Sequence, residues 1–185
     1  MIKGLAWGGL LAGLVLLGST TVGAPAASPS VTASTLATID LTQPFHTVSP
    51  WRFVATQGPM VPDPYLPQET IPAQIRLCLQ PGESAPCDSR LIAMPQPPTP
   101  IQHDAWEPHY LNQARIVYPS GRTGRPLLLL QTASIHSGDG DQAVFTQLLA
   151  YDRSRDRFEQ VYGHQTGHNN NQDVRFIASG PLRAT

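Results

Sequence analysis

"LLLLQTASIHSGDGDQAVFTQLLAYDRSRDRFEQVY", residues 127–162, decides the fold. It holds three runs rich in leucine, β-branched and aromatic residues: Leu127 to Ala133, Ala143 to Tyr151 and Arg157 to Tyr162. Short runs of this composition, bounded by turn formers, read as strands rather than helices. Leu127 to Leu130 is unbroken apolar, and a strand without alternation is expected to be buried on both faces. Asp152 to Asp156 forms a polar connection of a length that hairpins use. Its charges, Asp152, Arg153, Arg155, Asp156 and Arg157, suggest either an anion site or a solvated turn. The turn is preferred, because mixed charges at an exposed loop tip contribute little.

The same texture extends outward. Further strand runs are Trp51 to Thr56, Ala73 to Leu79, Asp88 to Ala93, Ala114 to Tyr118 and Val174 to Ala178. Two more hairpins are expected, one turning at Pro81-Gly82 and one between Pro119 and Pro126. Between Pro44 and Pro108 there are 14 prolines in 65 residues, and from Leu127 to Gly180 there are none in 54. Proline removes a ladder donor and is confined to edges, strand starts and turns. The region 41–126 is therefore expected to hold short strands and fixed turns, and 127–180 a continuous sheet. Together they make one domain, 41–185, all-β and an antiparallel meander, sandwich-like or a fragment of a larger β fold.

The N-terminus has a different character. Met1-Ile2-Lys3 is a positive start, Leu5 to Leu17 is an apolar run, and Ala24-Pro25-Ala26 offers a small-residue cleavage site. This is the layout of a secretory signal peptide, expected as a helix over residues 1–26 with cleavage after Ala26. An uncleaved anchor is the alternative, since Leu5 to Val22 reaches the lower length limit of a bilayer helix. Residues 27–40, rich in Ala, Ser and Thr, are read as a flexible lead-in. No later segment is apolar enough to cross a membrane, so the mature chain is not expected to be membrane-embedded. Export to an oxidising compartment makes the two cysteines, Cys78 and Cys87, a disulfide pair. Their spacing fits neither a redox motif nor a zinc ribbon.

Composition excludes one class of partner. Lys3 is the only lysine, so cleavage removes one of 12 basic residues and leaves 11 arginines against 13 acidic residues. Near-balanced, interspersed charge argues against nucleic-acid binding.

The block "LLLLQTASIHSGDGDQAVFTQLLAYDRSRDRFEQVYGHQTGHNNNQDVRFIASGPL" resembles a stretch of exported proteobacterial β-rich proteins of unknown function. The resemblance covers the C-terminal third and implies no activity. Its rhythm is also similar to a propeller blade, but the chain holds about three blades' worth of residues, too few to close a ring.

Three polar segments could carry a site. "HDAWEPHY" gathers His103, Asp104, Trp106, Glu107, His109 and Tyr110. Paired carboxylates beside an aromatic platform suit glycoside chemistry, although a loop fixes no separation between them. The plainer reading packs Trp106 and Tyr110 on the sheet. "GHQTGHNNNQD", residues 163–173, offers His164, His168 and Asn170, with Asp173 or His136 as a conceivable third ligand. Gly and Asn favour a turn there, so a polar, ligand-facing loop is expected rather than a metal site. "HSGDGDQ", residues 136–142, lacks the final carboxylate of a calcium loop. No metal and no cofactor are expected.

There is no G-x-S-x-G, H-E-x-x-H, phosphate-loop or dinucleotide motif. The sequence therefore points to an exported protein of a Gram-negative envelope, periplasmic or secreted, acting by binding or structure through an unknown partner. A periplasmic hydrolase using the His/Asp/Glu loops and a carbohydrate- or peptidoglycan-binding module are the alternatives.

Overall fold

A computed structural model describes residues 33–89, 107–119, 124–136 and 142–166. The signal-peptide region, the strand expected at 174–178 and most of 88–93 lie outside these residues. The described elements are β1 (Ser34–Asp40), α1 (Thr42–Phe45), β2 (Trp51–Gln57), β3 (Val61–Pro62), β4 (Thr70–Ile71), β5 (Ile75–Pro81), β6 (Tyr110–Val117), β7 (Leu127–His136), β8 (Gln142–Asp152) and β9 (Arg157–Thr166). The fold is all-β and antiparallel. One sheet has the order β1-β2-β5, and a second is the sequential meander β6-β7-β8-β9. The two-stranded β3-β4 ribbon fills the interval between β2 and β5.

The three-stranded sheet is one-sided. Trp51, Phe53 and Ala55 of β2 are buried while Arg52, Val54 and Thr56 are not, and β5 repeats this with Ile75, Leu77 and Leu79. Register keeps the two sets on one face, with Phe53 opposite Leu79 and Ala55 opposite Leu77. That face meets Leu128, Leu130, Leu149, Tyr151 and Phe158 of the meander in a single core, which makes the arrangement sandwich-like.

β7 and β8 are buried almost throughout their length. Leu128 and Leu130 join the shared core, whereas Leu129 packs with Val117 and Leu148 on the opposite face. The leucine run thus forms a strand buried on both faces, as its lack of alternation required.

Two expectations need correction. Ser34–Asp40 is the second half of the region read as a flexible lead-in, yet it is a strand. Its Ala37 and Ile39 pack against the core opposite Ala55 and Phe53. These two side chains, one of them small, are too few to make a periodicity signal. β9 also runs on through Gly163, His164, Gln165 and Thr166, where a loop was expected. β8 begins at Gln142 and supplies partners for all four residues, so ladder pairing overrides the weak local preference.

Candidate functional site

In the antiparallel meander, β6 and β8 begin where β7 and β9 end. Tyr110 lies opposite Ala133, Ala133 opposite Val144, and Val144 opposite Thr166. The three polar segments singled out in the sequence therefore all leave the same end of this sheet. His103, Asp104, Trp106, His168 and Asn170 lie outside the described residues. Glu107, His109 and His164 can be placed.

His109 is 7% exposed and serves as a joint between the sheets. Its backbone N–H donates to Ala133 O at 2.8 Å, and its carbonyl accepts from Gln57 Nε2 at 2.7 Å. The ring Nδ1 lies 2.8 Å from Pro72 O. A carbonyl only accepts, so Nδ1 carries a proton and donates it to Pro72 O. Half-buried Glu107 sits two residues before it, and Ile75 N–H donates to the intervening Pro108 O.

His164 lies elsewhere. It is exposed on β9 opposite Thr146, with its ring 6.4 Å from that of Tyr162. Because directly opposed residues share a face, His164 falls on the face away from the shared core, with Thr166, Val144 and Tyr110. His109, one residue before Tyr110, turns inward to Pro72. Three strand spacings, about 14 Å, also separate β6 from β9. The sheet therefore gathers the strand ends but does not bring these two histidines to a common ligand atom. Among the described residues, no group of three His, Cys, Asp or Glu side chains could hold a metal ion.

The most developed polar constellation lies at the opposite end, in the β8–β9 turn. Asp156 has φ 46°, a left-handed conformation that Asp tolerates better than most residues. This turns its carboxylate inward, where Trp51 Nε1 donates at 2.9 Å and the Ser49 and Tyr151 hydroxyls donate as well. Tyr151 OH in turn accepts from Val48 N–H at 2.8 Å. Beside this network, Phe158 packs edge-on to Phe45 and Trp51, with centroids 5.0 and 5.4 Å apart.

Burial pushes the Asp156 carboxyl up, but the hydrogen bonds from Ser49, Tyr151 and Trp51 together outweigh it and hold the pKa at about 2. Burial, reinforced by the neighbouring carboxylate, raises the Tyr151 hydroxyl above its ordinary value and keeps it a donor. A carboxylate this acidic is a poor base at neutral pH, so the constellation anchors rather than reacts. The sequence reading missed it, because two of its three side-chain donors, Ser49 and Trp51, lie more than 100 residues away. The solvated-turn reading holds for the neighbouring arginines. Arg155 pairs with Asp152 and Glu159 at 3.4 and 3.0 Å, and Arg157 also pairs with Glu159.

Cys78 and Cys87 are bonded, with Cα atoms 5.3 Å apart, as the cysteine count implied. Among the described residues, no helix is long and apolar enough to cross a membrane. Comparison with known proteins finds no matching family model, curated protein or solved structure.

Proposed function

We propose that this chain is an exported envelope β-protein, periplasmic or secreted, that binds a partner through the loops at the histidine-bearing end of its four-stranded sheet. The observation that carries this reading is the register of β6 to β9. It sets the ends of four strands, with the polar segments that follow or precede them, on one edge of a framework buried on both faces. Recognition loops on a rigid sheet follow this plan in many β-sandwiches. The disulfide supports the extracytoplasmic location, since such bonds persist in oxidising compartments.

Site-specific photo-crosslinking in the bacterial envelope tests the reading. A crosslinking residue at position 136 should capture an envelope component, and one at position 153, in the opposite turn, should not. Equal capture at both positions, or capture at 153 alone, would contradict the assignment.

A further inference from the structure

β5 pairs with β2 along one edge and, among the described residues, is the last strand of its sheet on the other. On that outer edge, Leu79 N–H donates to Asp88 O at 3.1 Å, and Asp88 N–H returns a bond to Leu79 O at 2.9 Å. Adjacent to this pair, the disulfide joins Cys78 to Cys87. The chain reverses through Gly82, whose φ of 87° suits glycine. No residue from Gly82 to Ser89 is buried. Gln80 Nε2 steadies the turn by donating to Glu83 O and Ala85 O at 3.0 and 2.7 Å, and Arg52 also reaches Glu83 O. A strand pairing with no apolar anchor is marginal in water. Leu77 and Leu79, by contrast, point into the shared core, on the face away from Cys78.

We propose that the Cys78–Cys87 disulfide is a thiol-exchangeable clip that keeps the outer edge of β5 covered, and that its reduction opens this edge while the sandwich core stays folded. Cys87 is exposed and Cys78 only partly so, which makes Cys87 Sγ the accessible sulfur. A thiolate of a dithiol reductant attacks it and forms a mixed disulfide. The Cys78 sulfur leaves as a thiolate and takes a proton from water. The second thiol of the reductant then displaces Cys87, whose thiolate is protonated in turn, and the reductant departs as its cyclic disulfide. The protein gains two electrons and two protons, and the reductant loses them. What remains at Leu79 is a stretch of strand edge with free backbone groups, the kind that pairs with other strands, while Ile75 keeps its bond to Pro108 O.

Hydrogen exchange on the whole chain, oxidised and then reduced with dithiothreitol under native conditions, tests the proposal. The amides of Leu79 and Asp88 should lose about tenfold or more of their protection, while those of Leu128 and Leu149 change less than about twofold. Unchanged protection at Leu79, or an equal loss in β7 and β8, overturns it. So does a disulfide that stays closed to dithiothreitol in the folded protein. The Cys78→Ser/Cys87→Ser double variant should reproduce the reduced pattern without reductant, and failure of that variant to fold contradicts the proposal as directly.

Discussion

Asp156 does its work only because its backbone is left-handed, which lets a turn residue face the interior. Asp156→Ala removes the acceptor for Ser49, Trp51 and Tyr151 and strains the backbone as well. It should lower the unfolding free energy by about 3 kcal/mol in urea titrations, with Asp156→Asn costing about half as much. A loss under about 0.5 kcal/mol for the alanine variant would show that the network contributes nothing. The pH dependence follows from the depressed pKa. The carboxylate's contribution is present above the ordinary value of 3.8 and fades as pH falls toward about 2. The stability gap between wild type and Asp156→Asn should therefore be constant from neutrality to about pH 5 and shrink below about pH 4. A gap that widens in acid would reverse the assigned sign. The turn itself was legible from its length and polarity. Which of its charges turns inward was not, because that depends on Ser49 and Trp51 in a distant segment.

The elements divide between those fixed by their own pattern and those fixed by a partner. β2, β5, β7 and β8 announce themselves through alternation or through an unbroken apolar run. Leu128 and Leu129 illustrate the second kind of signal: adjacent, both fully buried, and packed on opposite faces. Alanine at either should cost about 3 kcal/mol in equilibrium unfolding, whereas a one-sided sheet would make one of the two nearly neutral. β9 is the contrasting case. Between Leu148 and Leu149 its register shifts, so Tyr162 opposes Leu148 and Gln160 opposes Leu149. Val161 is the extra residue and is 57% exposed. The bulge moves the alternation by one, sends Tyr162 outward and leaves Gly163 on the core side. No local pattern encodes that step. Gln160 lies across Gly163 and accepts from buried Gln147 Nε2 at 2.8 Å, so a Cβ at 163 collides with the Gln160 amide. Gly163→Ala should cost about 1 kcal/mol through that hydrogen bond and almost nothing in a Gln160→Ala background. Additive losses would place the cost elsewhere.

At the scale of the whole molecule, the sequence was informative about class and poor about sites, for a physical reason. Burial periodicity is local and repeats along a strand, so β2, β5, β7 and β8 could be read one by one. The membership of β6 in the four-stranded sheet could not be read from the proline pattern around it. Convergence of side chains is non-local. His109 and His164 looked equivalent in the sequence, yet one is a buried joint between sheets and the other an exposed position on β9. The strand ends nevertheless collect the polar segments at one end of the framework, and the proposed role depends on that framework working outside the cytoplasm. Export and oxidation can be read together in one intact-mass measurement, made without reductant on protein recovered from the cell envelope. The account predicts a chain beginning at Ala27 and lighter by two hydrogens than its sequence mass. A full-length chain carrying both thiols would contradict it.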